Sequence, residues 1–134
     1  MKLVRRRVVG LAVAAVIASA CTASTSPYAS PPASLDPNSP TVAAVDIAFD
    51  KAELVVPANR PFTLVFENRD SASHNVSIDA DEAGRDRRFD GEVFSGPATR
   101  WYPVPALAPG TYVFVCVLHS NMTGRLVAVD EPPA

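Results

Sequence analysis

The stretch GTYVFVCVLHSNMTGRLVAV, residues 110–129, contains two apolar runs rich in β-branched residues, separated by a short polar segment. Cys116, His119 and Met122 fall within seven consecutive positions around the end of the first run. The whole chain of 134 residues has only two cysteines, two histidines and two methionines, and one methionine is the initiator. The pattern predicts two β-strands joined by a tight loop, and the loop composition raises the question of a metal site.

The first apolar run predicts which side chains face the interior. Successive side chains of a β-strand point to opposite faces of the sheet, so Tyr112, Phe114 and Cys116 share one face and three valines share the other. If Phe114 faces the core, the Cys116 thiol faces the same way near the end of the strand.

The remainder of the domain also has the composition of strands. β-Branched and aromatic residues occur in short runs between Pro, Gly, Asn and Asp, and no window has a sustained helical period. We therefore predict an all-β domain, a Greek-key β-sandwich or small barrel of seven to eight strands. The candidate strands are residues 43–49, 53–56, 62–68, 74–78, 91–94, 99–104, 111–117 and 124–129.

The N-terminal residues 1–20 have a basic start, an apolar middle and a small-residue exit, as in an export signal. The apolar run is too short for a bilayer crossing, which takes about 20 residues. The motif ASAC, ending at Cys21, resembles a bacterial lipobox, so we expect a lipidated Cys21 that anchors the exported chain to the membrane. Cleavage after ASA by the ordinary signal peptidase, giving a secreted soluble protein, is the alternative. The arginines at 5–7 leave Sec and Tat export both open.

Residues 21–41 are predicted to be the lipidated N-terminus and a tether rich in Ser, Ala and Pro, with almost nothing to bury. Residues 42–134 form the single predicted domain. After removal of the signal the chain has eight basic against fourteen acidic residues, a net charge of −6. This acidic balance argues against nucleic acid as a partner. The dense mixture of charges at residues 79–92 predicts a solvated loop, with a docking patch as the alternative.

Each candidate metal ligand has an ordinary explanation when it is taken alone. A single cysteine is most often a buried, inert side chain, a loop histidine is a surface residue, and a methionine fills a core. However, Cys116 has no disulfide partner within the domain, and His74 is the only other histidine. His74, Cys116, His119 and Met122 together provide two imidazoles, a thiolate and a thioether, which suit copper in both oxidation states. Zinc is a rival occupant, although a thioether is a poor zinc ligand.

Two segments carry a resemblance to a known family. SHNVSI at residues 73–78 and the stretch at 110–129 resemble the cupredoxins, the small blue-copper proteins of the plastocyanin and amicyanin type. The resemblance covers residues 44–129. It implies that His74, Cys116 and His119 are the equatorial ligands of one copper ion and that Met122 is the long axial ligand.

The same resemblance implies further roles around the metal. Asn75 would tie the two ligand segments together and hydrogen bond toward the thiolate, and His119 would expose an imidazole edge as the port for electrons. A plain turn residue is the alternative for Asn75. Ser120 and Asn121 are polar, so we expect a less apolar rim around His119 than in relatives that dock through an apolar patch.

Three functions from different classes remain to be compared. The first is a one-electron carrier that exchanges electrons with unidentified redox proteins at the outer face of the membrane. The second is a module that stores or delivers copper, since the same donor set also provides affinity. An enzyme is the weakest alternative, because four filled ligand positions leave no open site for a substrate. We expect a monomer.

Overall fold

The computed structural model describes residues 25–131. The predicted signal peptide and Cys21 lie outside these residues, and within them no helix is long and apolar enough to cross a membrane. The described residues form eleven strands: β1 (Thr41–Val45), β2 (Ala48–Phe49), β3 (Glu53–Pro57), β4 (Phe62–Asn68), β5 (Ser73–His74), β6 (Ser77–Asp79), β7 (Arg87–Asp90), β8 (Phe94–Ser95), β9 (Ala98–Val104), β10 (Gly110–Cys116) and β11 (His119–Val129).

These strands form two main sheets. One has the order β2-β1-β4-β9, the other has the order β3-β11-β10-β6-β7, and β5 pairs with β8 in a small third sheet. The β1–β4 and β11–β3 pairs are parallel, and the other pairs are antiparallel. The predicted all-β sandwich is therefore confirmed, with more strands than the seven to eight expected.

Aromatic and branched side chains from both main sheets form one core. Leu64 and Phe66 of β4 meet Phe114 of β10 and Leu126 of β11, and all four are fully buried. The predicted facing of the first apolar run is confirmed, because Phe114 and Cys116 are buried and Val117 is 46 % exposed. Cys116 therefore lies at the edge of the core, at the end of β10.

The extra strands come from breaks that the apolar pattern did not predict. The expected strand 43–49 is divided into β1 and β2 by Asp46 and Ile47, which both adopt positive φ, at 53° and 59°. The expected strand 74–78 is likewise divided into β5 and β6.

The segment 79–92 was expected to be a solvated loop, and this prediction was wrong in part. Residues Arg87–Asp90 form β7, an edge strand that pairs with β6. Arg87 spans the pair, because its Nε donates to Asp79 Oδ1 over 2.5 Å. Charged side chains at a sheet edge discourage pairing with other chains, and this is why the strand has no apolar signature. The strand expected at 91–94 is reduced to its last residue, Phe94, in β8.

Part of the predicted tether, at Ser26 and Tyr28, lies against the domain. The Trp101 N–H of β9 donates to the Tyr28 carbonyl over 3.0 Å, and the Tyr28 ring packs edge to face on Tyr102 with 5.7 Å between centroids. Ser26 Oγ also donates to Glu92 Oε2 over 2.5 Å. The expectation that this segment has almost nothing to bury is wrong at Tyr28, whose ring partly covers the core beside β9.

Candidate metal centre

His74 lies at the end of β5 and is fully buried. Its Nδ1 atom is 3.9 Å from the Cys116 sulfur, although 42 residues separate the two in sequence. Its other nitrogen, Nε2, is 2.9 Å from Asp70 Oδ2. The imidazole is thus oriented from both sides, with one nitrogen toward the sulfur and one toward a carboxylate.

Cys116 and His119 face each other across the turn that joins β10 to β11. Cys116 is the last residue of β10, His119 is the first of β11, and the two form a register pair. The distance from Cys116 Sγ to His119 Nδ1 is 3.6 Å. The donor atoms of His74, Cys116 and His119 all lie within 4.8 Å of one another, so the structure brings three of the four predicted ligands together.

Met122 is placed by an irregularity in the β10–β11 pair. The register jumps from Val115 opposite Thr123 to Cys116 opposite His119, which leaves residues 120–122 without a partner on β10. Such a bulge re-aims side chains. Met122 is 1 % exposed and belongs to the same core cluster as Cys116. Its role as the axial ligand stays a prediction.

Asn75 connects the two ligand segments. It is fully buried, and its Oδ1 accepts a hydrogen bond of 2.9 Å from the Val117 N–H, directly after Cys116. Its Nδ2 donates to Ser77 Oγ over 3.0 Å and to the Gly91 carbonyl over 2.9 Å. These side-chain bonds go to the backbone and to Ser77 rather than to the thiol, so the tie between segments rests on the Val117 amide.

Asp70 is a residue of the site that sequence reasoning missed. Besides His74, its carboxylate binds the backbone N–H groups of Asp46 and Ile47 over 2.8 and 3.0 Å. The bond from Ile47 is the largest cause that lowers the pKa of the Asp70 carboxyl below its ordinary value, and burial opposes it. The only signal in the sequence was an aspartate four positions before His74, a spacing too common in polar loops to stand out.

The surface around His119 has both apolar and polar side chains. Ser120 and Asn121 are exposed, as their polarity suggests, but Val117 and Leu118 in the turn between the ligands are 46 % and 52 % exposed. Ile47, whose carbonyl accepts a hydrogen bond from Asn121 Nδ2, is 44 % exposed as well. The rim therefore combines three branched apolar side chains with two polar ones.

The donor set fits a transition metal. Two imidazole nitrogens and one sulfur within a few ångströms suit copper or zinc, and burial of His74 and Cys116 excludes water from most of the site. Among the described residues no buried side-chain nitrogen or oxygen lacks a hydrogen-bond partner. The supporting shell is thus formed by the protein alone.

Comparison with solved structures shows the same fold in two auracyanins and an amicyanin. Auracyanin A of Chloroflexus aurantiacus, described as a "blue" copper protein, aligns with a TM-score of 0.59 at 23% identity, over 66% of this chain and 96% of that chain. Auracyanin of Roseiflexus castenholzii aligns with a TM-score of 0.58 at 23% identity, over 68% and 96% of the two chains. Amicyanin of Paracoccus versutus aligns with a TM-score of 0.55 at 20% identity, over 71% and 85%.

Comparison with curated protein sequences yields no match. The family model of the cupredoxin-like domain, in contrast, matches residues 11–128, which is most of the chain. The predicted family is confirmed, and the chain belongs to the family of cupredoxin-like domains.

Proposed function

We propose that this protein is a mononuclear blue-copper protein that carries single electrons. The observation that carries the proposal is the convergence of His74, Cys116 and His119 from two separate segments, with their donor atoms within 4.8 Å of one another. Copper bound there would supply a reversible one-electron couple. Membership of the cupredoxin-like family and the likeness in fold to blue-copper proteins support the proposal.

The protein's own residues would hold the ligands in one geometry for both oxidation states. His74 is buried between Cys116 and Asp70, and Asn75 ties the turn after Cys116 to the His74 segment. Ligands that cannot rearrange favour rapid electron exchange, because little reorganisation accompanies the change of charge. Met122, buried beside this set, would provide the weak axial contact.

His119 would be the port through which electrons enter and leave. It is the most exposed of the three converging ligands, while His74 and Cys116 are buried. Val117, Leu118 and Ile47 would offer an apolar contact surface around it. We propose redox proteins as the partners and a monomer as the working form.

Copper delivery is less well supported than electron transfer. A delivery site must release its ion readily, but here the fully buried His74 imidazole is held by Asp70, and the buried Cys116 thiol precedes a backbone N–H that is held by Asn75. We assign no enzymatic reaction, because a set of four ligands would leave no open position for a substrate.

We further propose that the protein is exported and held to the outer face of the cell membrane by lipid on Cys21. If so, the docked residues at Ser26 and Tyr28 shorten the free tether. Five residue steps from Cys21 to Ser26 span at most about 18 Å, against roughly 25 to 60 Å for twenty undocked residues. Labelling with radioactive palmitate, with Cys21→Ser as control, tests the anchor.

The test of the proposed function is a visible absorption spectrum of the full chain loaded with copper and oxidised. A blue-copper site should give an intense absorption from the bond between copper and the Cys116 sulfur, together with a reversible one-electron potential. Cys116→Ser should lose the colour. A colourless wild-type protein that passes Cu(I) to a chelator rapidly would favour delivery, and one that retains zinc in preference would contradict a copper function.

A further inference from the structure

The turn between β1 and β2 is strained and lies beside the metal centre. Asp46 and Ile47 both have left-handed backbone conformations, with φ of 53° and 59°. A β-branched residue such as isoleucine is rarely found there, because its side chain crowds the backbone. Strain of this kind persists only where the surrounding structure holds it.

Two side chains hold the turn, and each comes from a segment that carries metal ligands. Asp70, four positions before His74, accepts hydrogen bonds from the N–H groups of Asp46 and Ile47. Asn121, between His119 and Met122, donates to the Ile47 carbonyl over 3.0 Å. The strained turn is therefore connected to both ligand segments.

Asp70 also determines which nitrogen of His74 is free to bind a metal. An ionised carboxylate accepts hydrogen bonds and cannot donate them. The 2.9 Å contact from Asp70 Oδ2 to His74 Nε2 thus requires a proton on Nε2. In a neutral imidazole this leaves the lone pair on Nδ1, the atom that faces Cys116.

We propose that Asp70 is a positioning residue that fixes the His74 ring and its metal-binding tautomer, and that the same carboxylate couples the metal centre to the strained Asp46–Ile47 turn. This inference deepens the proposed copper function and rests on it. One side chain then determines both the direction of a buried ligand and the placement of Ile47 on the exposed rim.

The first experiment reads the tautomer in the full chain without metal. Nitrogen NMR shifts of His74, recorded where the ring is neutral, should show a proton on Nε2 in the wild type. The asparagine of Asp70→Asn has one acceptor oxygen for three donors, namely the Asp46 N–H, the Ile47 N–H and the His74 ring. The alanine of Asp70→Ala has no acceptor. Both variants should therefore give a mixture of His74 tautomers. Asp86→Ala is the matched control, because the Asp86 side chain forms an exposed ion pair with Arg88, away from the metal ligands, and its backbone carbonyl is retained in the variant. If His74 in the Asp70 variants still has its proton on Nε2 alone, as in the wild type, the proposal is overturned.

The second experiment measures metal affinity by competition between the protein and a Cu(I) chelator. Loss of a carboxylate behind a ligating histidine lowers affinity about 10–100-fold in other proteins, and we expect this for Asp70→Asn. If Asp70→Ala does not fold, Asp70→Asn alone decides the result. Wild-type affinity in a folded Asp70→Asn protein would contradict the positioning role.

The third experiment tests the coupling to the turn. Binding of Cu(I) to the wild type should slow amide hydrogen exchange at Asp46 and Ile47, and Asp70→Asn should abolish that response. Equal responses in both proteins would refute the coupling. The tautomer experiment needs no metal, so a wild type that forms no blue site would defeat the proposed function while the role of Asp70 is still decided.

Discussion

The backbone carbonyl of Tyr28 accepts a hydrogen bond from the backbone N–H of Trp101, which joins the N-terminal segment to the outer edge of β9. Beside this hydrogen bond, the Tyr28 ring packs edge to face against the Tyr102 ring. An exposed strand edge is a site for unwanted pairing, and here the chain covers part of that edge itself.

Replacement of Tyr28 by alanine should lower the free energy of unfolding by about 1–2 kcal/mol, because it removes a partly buried aromatic pair. Trp101 is the only tryptophan, so its fluorescence reports the change directly. Amide exchange at Trp101 should accelerate as well. Ser30→Ala, an exposed change in the same segment, should have no effect, and equal behaviour of the two variants would show that the docking contributes nothing to stability.

Glu92 should make the docked segment sensitive to acid. Burial favours the neutral carboxyl, but hydrogen bonds from Ser26 and Arg100 outweigh it and lower the pKa of Glu92 below the ordinary value of 4.5. A lowered pKa in the folded state stabilises the fold above the unfolded pKa, and this contribution is lost as pH falls through the folded pKa.

The direction of this pH dependence can be tested by measuring the free energy of unfolding of the wild type and of Glu92→Gln between about pH 7 and about pH 3. The advantage of the wild type should be complete near neutrality and should shrink below about pH 4.5. An advantage that grows toward low pH would be inconsistent with the assignment.

Relief of strain at Ile47 should stabilise the protein. Glycine adopts positive φ without crowding, which offsets its larger loss of entropy on folding. Ile47→Gly should therefore raise the free energy of unfolding by up to about 1 kcal/mol. Ile47→Val retains the branched side chain and the strain, so an equal gain in that variant would rule out this explanation.

Loss of the Asn75 side chain should destabilise the protein and loosen the metal centre. Asn75→Ala removes the partner of the partly buried Val117 N–H and of the buried Gly91 carbonyl. The expected cost is about 2–3 kcal/mol in chemical denaturation, with a broadened or weakened visible band in the copper-loaded protein. Asn38→Ala, at an exposed position, is the control. If neither the spectrum nor the stability changes, Asn75 is a plain turn residue and does not support the metal centre.

Replacement of Met122 by leucine should retain the metal and shift its reduction potential upward. The side chains are similar in volume, so the buried position should lose less than about 1.5 kcal/mol. Removal of the thioether takes away a weak donor and leaves the three converging ligands in place. Cyclic voltammetry measures the shift, and complete loss of copper would show that Met122 is not merely an axial ligand.

The sequence alone determined the fold class and the candidate ligands, because both depend on local properties. Alternation over residues 111–117 identified the buried face that carries Cys116, and this holds for any strand with that pattern. The scarcity of sulfur and imidazole reduced the possible ligands to His74, Cys116, His119 and Met122. Neither the chemistry of these side chains nor the alternation of the strand depends on where other segments of the chain lie.

Only the tertiary structure decided how distant segments meet. Asp70 contacts both His74 and Ile47. Tyr28 packs against β9, a strand that follows it by about seventy positions in the sequence. These contacts use common polar and aromatic residues, whose roles depend on the neighbours that folding brings to them. The strained Ile47 turn shows the same limit, because a run of apolar residues predicts a continuous strand. The structure breaks that strand, and two side chains stabilise the break: Asp70 accepts hydrogen bonds from the turn's N–H groups, and Asn121 donates one to the Ile47 carbonyl.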